Sequence, residues 1–334
     1  MKNFITIITL VCALHCNIYA QKIYNNSIGS AVNGYFNHLD IAITGGTTGI
    51  GIEVASPIGE YVQVRTGFEY MPHFNINMDF GIQVAKEGET SVNATESRSR
   101  FEKLSGVLTE MTGYQIDDKV TMRGEPRLHN FKLLFDVFPF QNKKWHFTAG
   151  FYAGPSRIGI AENITEDMTT LMAVGIYNNM YEKAKIGEPI FAGISLPPFY
   201  ERKIVDDWGK MSMHVGNYKT SGVTSSGETY NAGDPYRMTP NENSMVTVKV
   251  KTNRFRPYLG FGYGNSIVPK SKYSYSFDCG LMFWGGTPKI LTHDGTDLAR
   301  DVENIGGKVE DCVKFIKAIK AYPVINFRVS RRIF

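Results

Sequence analysis

The chain has 334 residues and a formal net charge of +4, and 43% of its residues are hydrophobic and 20% are charged. This composition excludes a wholly disordered chain, and so mild a charge without a dense basic patch argues against nucleic acid as a partner. Aromatic residues make up 13% of the chain and there are 33 glycines, which together favour β structure.

Residues 1–20 have the layout of a secretory signal peptide. One lysine is followed by a short apolar run and a polar stretch that ends at Ala20. The run is too short to span a bilayer, so we expect cleavage before Gln21 and export of residues 21–334 as a single domain. A lipoprotein signal at Cys16 is the weaker alternative, because His15 stands where a small residue is needed.

Two cysteines, Cys279 and Cys312, would remain after cleavage. A disulfide between them and two separate thiols are both compatible with an exported chain. No apolar run long enough for a transmembrane helix follows the signal peptide, so a membrane role would have to use strands.

Eight stretches alternate apolar and polar residues, which is typical of strands with one apolar face. In chain order they are 39–44, 49–55, 61–70, 131–138, 145–154, 256–264, 273–284 and 322–334. Short connections rich in turn residues stand at 56–60, 139–144 and 265–272, and long ones stand at 71–128, 155–250 and 285–321. This pattern predicts an all-β fold: an antiparallel up-and-down transmembrane β-barrel of eight strands, with ten as the alternative, and long extracellular loops.

The long loops contain further patterns. Helical spacing of apolar residues predicts helices over 166–184 and 306–320, which we expect to pack on the loops; a membrane-surface or partner-binding helix is the alternative. The stretches 74–84 and 245–250 alternate like strands. They either extend the barrel strands beyond the membrane or form another hairpin.

Alternation alone does not separate a membrane barrel from a soluble β-sandwich or calycin-like barrel. The polar face decides in favour of the membrane barrel, because it mixes glycines with charges of both signs, as a narrow lumen filled by side chains requires. The predicted lumen charge network is Asp40, Glu53, Arg65, Glu69, Lys132, Asp136, His146, Asp278 and Arg328. The apolar face carries aromatic residues near strand ends, which suits interfacial girdles: Tyr70, Trp145, Tyr263, Tyr273 and Phe283.

The pattern "GTTGIGIEVASPIGEYVQVRTGFEYMP" (46–72) and the blocks at 255–270 and 322–334 resemble small outer-membrane β-barrel proteins of Bacteroidota-type bacteria, which are similar in design to OmpA- and OmpX-like barrels. The resemblance covers the strands and not the long loops. It implies an outer-membrane location and a C-terminal signal, with Phe327, Val329 and Phe334, that the barrel-assembly machinery reads by strand addition.

The alternation of the last strand allows two arrangements near its end. If the alternation that points Phe327 and Val329 to lipid continues, Arg331 points to lipid and Phe334 points inward. Either a bulge near Ser330 shifts the phase, or Arg331 lies among the lipid headgroups, where a positive charge is tolerated.

The sequence contains no pattern that marks a catalytic or metal site, and it predicts no cofactor. The segment "GGTTGIG" (45–51) precedes a strand pattern instead of a helix, so it predicts a hairpin and not a nucleotide loop. We therefore expect a non-enzymatic outer-membrane barrel that displays an extracellular cap, with membrane lipids, the assembly machinery and an unidentified extracellular ligand as partners. The alternatives are small-solute transport and an exported soluble binding protein.

Overall fold

The computed structural model describes residues 38–86, 89, 93–190, 204–224, 227–264 and 272–333. The predicted signal peptide and Phe334 lie outside the described residues. The strands are β1 (Asp40–Gly46), β2 (Gly49–Pro57), β3 (Val62–Tyr70), β4 (Ile76–Ala85), β5 (Lys119–Pro126), β6 (His129–Val137), β7 (Trp145–Ala153), β8 (Arg157–Asn163), β9 (Lys210–Tyr218), β10 (Gly222–Val223), β11 (Thr229–Tyr230), β12 (Pro235–Met238), β13 (Thr247–Lys251), β14 (Phe255–Gly264), β15 (Tyr273–Phe283), β16 (Lys289–Thr292), β17 (Val302–Glu303) and β18 (Ala321–Arg332). The helices are α1 (Ala94–Thr112), α2 (Met168–Ile186) and α3 (Gly307–Ala318), with short turns at Thr165–Asp167 and Ile204–Trp208.

Eight strands close into an antiparallel barrel in the order β1-β18-β15-β14-β7-β6-β3-β2. They are the eight strands that the alternation predicted, so the predicted fold class is confirmed and the ten-strand alternative is wrong. The first and last strands close the wall, with Asp40 opposite Arg332 and Gly46 opposite Asn326. Closure removes the open edges that would otherwise expose backbone N–H and C=O groups.

The outer face of the barrel is an exposed apolar band. It includes Ile43, Ile52, Phe68, Phe131, Phe147, Leu259, Phe261, Phe277, Ile325 and Phe327, each between 43% and 70% exposed. The predicted girdle residues Tyr70, Trp145, Tyr263, Tyr273 and Phe283 lie on the same face and are 36% to 51% exposed. A continuous apolar surface of this kind is the outer surface of a membrane-spanning barrel, because exposing so large an apolar area to water is unfavourable.

The wall of the barrel continues beyond one end as a second sheet, in the order β12-β9-β4-β5-β8-β13-β16. Five of its strands, β4, β5, β8, β13 and β16, stand in the same order as the barrel strands β3, β6, β7, β14 and β15 that adjoin them in the chain. The stretches 74–84 and 245–250 therefore extend barrel strands, and the alternative of a separate hairpin is wrong. We call this second sheet with α1, α2 and α3 the cap.

The cap has its own hydrophobic core. Side chains of α1 and α2 pack on one face of its sheet, and the buried set includes Val84, Phe101, Leu104, Leu108, Met122, Leu171, Val174, Met211 and Met213. Buried hydrogen bonds from α2 to β9 fix this packing: Asn178 donates to the Met211 carbonyl at 2.8 Å and accepts from its N–H at 2.9 Å. The two predicted helices are confirmed, and among the described residues no helix is long and apolar enough to cross a membrane.

The last strand runs to Arg332 without a shift of register against either neighbour. Arg331 is exposed on the outer face, opposite Ile41 on one side and Tyr273 on the other. The alternative of a bulge near Ser330 is therefore wrong. Arg331 lies next to the strand end, where its long side chain reaches the headgroup region.

Candidate functional site

Glycines on the inner face make room for the large side chains of the barrel lumen. A Cβ atom at Gly260 or Gly280 would lie under 3.0 Å from the hydroxyl oxygen of Tyr258, and one at Gly262 would lie under 3.0 Å from Nε2 of His146. The alternation of glycine with large residues in the sequence is thus the result of packing. Each ring lies across the bare backbone of a neighbouring strand.

Arg65 is the centre of the charged lumen. Its Nη1 and Nη2 donate to the two carboxylate oxygens of Asp278 at 3.1 and 3.0 Å, and Nη2 also donates to Oδ1 of Asp136 at 2.8 Å. Its Nε lies 2.7 Å from Oδ2 of Asp136. Both aspartates have a second partner, since Nε2 of His146 lies 2.8 Å from Asp278 and the Thr148 hydroxyl donates to Asp136 at 2.8 Å. One guanidinium therefore joins four strands of the barrel.

A second centre lies around Glu53 and is joined to the first. Nζ of Lys132 lies 2.8 Å from Oε2 of Glu53 and donates to Glu69 at 2.6 Å. Nη1 of Arg328 donates to the other oxygen of Glu53 at 2.7 Å, and Nη1 of Arg65 lies 3.8 Å from that same oxygen. Opposite charges therefore face one another throughout, which offsets the large cost of removing them from water.

Apolar and hydrogen-bonded layers close the lumen towards the cap. Leu134, Tyr152, Tyr258, Met282 and Val324 form a small buried core, with the rings of Tyr152 and Tyr258 edge to face at 5.5 Å. Beyond it, the guanidinium of Arg256 donates to Oδ1 of Asn130 at 2.6 Å and to the carbonyls of Asn253 and Pro155 at 2.9 and 2.6 Å.

The opposite end of the lumen is closed as well. The buried ring of Phe138 lies 5.0 Å from the His146 ring, and the hydroxyls of Ser274 and Ser330 lie 2.5 Å apart. Buried side chains therefore occupy the lumen at its centre and towards both ends, as expected for eight strands.

All nine residues of the predicted network have side chains in the lumen, and none is more than 3% exposed. Eight of them form one connected cluster through the contacts above. Asp40 stands apart, at 3.7 Å from Nε of Arg332 and 3.8 Å from Nε2 of His38. Sequence reasoning missed Arg256, although its position in the alternation of β14 points it inward. Within the described residues no group of three or more His, Cys, Asp or Glu side chains could hold a metal, and Cys279 and Cys312 are free thiols.

The C-terminal residues singled out in the sequence are on the membrane face where the structure describes them. Phe327 is 50% exposed and Val329, on the same side of β18, is half-buried. Phe334 lies outside the described residues. The outer face of β18 thus presents apolar side chains at alternate positions.

The cap contains an aromatic cluster beside an aspartate turn. Tyr218 stacks on Tyr230 with ring centroids 3.7 Å apart, and the Tyr236 hydroxyl donates to Oδ2 of Asp294 at 2.8 Å. Burial, followed by the charge of Asp294, raises the pKa of Tyr218 to about 12. Burial also tends to raise the pKa of Asp294, but hydrogen bonds from Thr292, the backbone of Thr296 and Tyr236 outweigh it and hold that pKa below its usual value. The cluster is internally satisfied and stabilises the cap.

No protein-family model and no curated protein sequence matches the chain. Among solved structures, CarO2 of Acinetobacter baumannii is similar at 13% identity and a TM-score of 0.36, over 88% of this chain and 98% of that one. CarO of Acinetobacter baumannii is similar at 13% identity and a TM-score of 0.35, over 88% of this chain and 97% of that one.

Proposed function

We propose that this chain is an outer-membrane protein whose barrel is closed to solutes and whose role is to hold a rigid cap outside the cell. The observation that carries the proposal is the contrast between the two faces of the barrel. The outer face is exposed and apolar, whereas the lumen is occupied by the Arg65 and Glu53 ion-pair clusters and by the aromatic layer beyond them. This contrast fits a barrel anchored in lipid and not a water-filled channel.

The topology supports an extracellular cap. The chain enters β1 and leaves β18 at the end of the barrel that carries three of the four short turns; the β1–β2 turn and every long excursion lie at the other end. In outer-membrane barrels the short turns are periplasmic and the long loops extracellular. The inferred OmpA- and OmpX-like design, export by a cleaved signal peptide and absence of enzymatic activity are parts of the same proposal.

Recognition by the barrel-assembly machinery is a further part of the proposal. Phe327 and Val329 lie on the lipid side of β18, and β18 pairs with β1 to close the barrel, so its outer face and edge are available for strand addition before closure. We expect deletion of Phe334 to lower the yield of folded barrel in the outer membrane. Unchanged yield would contradict a terminal signal.

The proposal is tested by purification and reconstitution of the full chain. We expect the protein to require detergent for extraction, to migrate faster on gels before boiling than after, and to leave planar bilayers silent. Recovery as a water-soluble monomer would favour the exported binding protein. Stepwise single-channel conductance, of the kind that a porin control produces under the same conditions, would favour small-solute transport.

A further inference from the structure

The paired cap strands β8 and β13 begin in register with the barrel strands β7 and β14, and a bulge shifts the register only beyond Arg157 and Lys251. In the barrel Phe255 opposes Ala153, and in the cap Lys251 opposes Arg157, so both strands have advanced by the same four residues. Backbone hydrogen bonds of the intervening residues keep the ladder closed. Residues 154–156 and 252–254, between the barrel and the cap strands, are not strand. Ile158 and Val250, the next residue on each cap strand, pack into a buried cluster with Leu128 and Trp284. Arg157 and Lys251 therefore point outward, to the side on which Phe255 faces lipid.

The third strand adds another cation to this row. Tyr258 opposes Met282 in the barrel, and Lys251 opposes Lys289 in the cap, each seven residues away along the chain. Ile290, next to Lys289, is buried in the cap core, so Lys289 points outward. Arg157, Lys251 and Lys289 therefore stand side by side on β8, β13 and β16. We call these three residues the basic row. Lys249 follows two residues beyond Lys251 on the same face.

The basic row lies just above the apolar band. The exposed ring of Phe255 contacts the Phe151 ring at 4.8 Å and marks the upper rim of that band. Four residues of strand span about 13 Å, which a strand tilt of about 40° reduces to about 10 Å of height. The headgroup region is about 5–7 Å thick on each side of a bilayer. A lysine or arginine side chain can reach back from the row to that region.

The basic row is unfavourable unless an anion meets it. Like charges directly opposite one another on neighbouring strands destabilise a sheet. Among the described residues, no carboxylate forms a salt bridge with the three cations of the row or with Lys249, whereas some other cations of the cap are paired, such as Arg127 with Glu125 and Lys210 with Glu182. Glu125 and Glu162 share this face: Glu125 lies two strands away from Lys249, and Glu162 lies diagonally from it on the neighbouring strand.

We propose that Arg157, Lys251 and Lys289 bind the phosphate groups of an acylated anionic lipid in the outer leaflet, a phosphorylated glycolipid. The acyl chains would lie along the apolar band below Phe255, and the phosphates would neutralise the row. The guanidinium of Arg157 suits a phosphate because it can donate two parallel hydrogen bonds. This inference rests on the membrane placement given under the proposed function.

The test uses the full chain in detergent micelles and titrates it with bisphosphorylated lipid A, with dephosphorylated lipid A and with inorganic phosphate, following retained lipid by native mass spectrometry. We expect binding of the phosphorylated lipid alone at low concentration. Each neutralised cation should weaken binding about fivefold, so the double variant Lys251→Gln/Lys289→Gln should lose about 25-fold. The matched control Lys103→Gln, at an exposed lysine of α1, should bind as the wild type does.

Three results would overturn the proposal: equal affinity for the two lipids, unchanged affinity in the double variant, or displacement of the lipid by inorganic phosphate at comparable concentration, which would indicate a simple anion site. Lys251→Arg/Lys289→Arg should retain binding, and the gel shift on boiling shows that each variant is folded. A wild-type protein that is soluble without detergent would instead contradict the membrane placement itself.

Discussion

Replacing Arg65 by methionine removes the central cation of the lumen and leaves most of its volume. The guanidinium makes three hydrogen bonds to Asp278 and Asp136 and an ion contact of 2.7 Å to the latter. In the variant, Asp278 keeps His146 at 2.8 Å, whereas Asp136 keeps only the Thr148 hydroxyl at 2.8 Å. The main consequence is that the buried carboxylate of Asp136 is left without a positively charged partner.

The loss of stability follows from this unpaired buried charge. Removing one partner of a buried ion pair destabilises proteins by about 3–5 kcal/mol, because the remaining charge is left buried without a counter-charge. We therefore expect Arg65→Met to lower the free energy of unfolding by about 4 kcal/mol. Arg65→Met/Asp136→Asn should recover at least half of the loss, since it removes the unpaired charge.

The assay is reversible urea unfolding in lipid vesicles, followed by tryptophan fluorescence and checked by the gel shift on boiling. Arg98→Met is the control, because the Arg98 side chain is 73% exposed and its pair with Glu102 is on the surface of α1. We expect that control to change stability by less than about 0.5 kcal/mol. A loss below about 1 kcal/mol for Arg65→Met, or a double variant less stable than the single one, would refute the reasoning.

Three further predictions concern packing, the cap and pH. Gly280→Val brings a side chain onto the Tyr258 hydroxyl and should reduce barrel stability by at least about 2 kcal/mol in the same assay, whereas Gly45→Val, with open space around it, should be tolerated. Asn178→Leu removes two buried hydrogen bonds and should destabilise the cap by about 2–3 kcal/mol, seen as faster proteolysis of the cap with an intact barrel; exposed Asn179→Leu should not. The pKa of Asp294 is lower in the folded cap than in the unfolded chain, so this carboxylate contributes its full stabilisation of the cap above about pH 4 and loses it as the pH falls through the folded pKa. The variant Asp294→Asn should therefore show a weaker dependence of cap proteolysis by pepsin on acid pH.

The barrel could be predicted from the sequence because its two faces differ so strongly. Lipid outside and ion pairs inside impose an alternation that β3 and β14 show over nearly their whole length. The same alternation pointed Glu53, Arg65 and Lys132 inward. It could not show which carboxylate each cation meets, because strand order and stagger decide that pairing.

The cap was harder to predict because its strands do not alternate cleanly. In β9, Met211, Ser212 and Met213 are all buried, since both faces of that strand are covered, so period 2 is lost. Helix α1 went unnoticed because it is rich in polar residues and buries only a narrow stripe that contains Phe101 and Leu108. The basic row depends on register between strands far apart in the chain, which no local pattern reveals.

The most direct test of an outer-membrane barrel with an external cap is labelling of single cysteines on intact cells. In a Cys279→Ala/Cys312→Ala background, Lys103→Cys places a thiol on the exposed face of α1, and Gln141→Cys places one in the short turn between β6 and β7. A membrane-impermeant maleimide should label position 103 on intact cells and position 141 only after lysis. Labelling of position 141 on intact cells, or protection of position 103, would contradict the proposed topology.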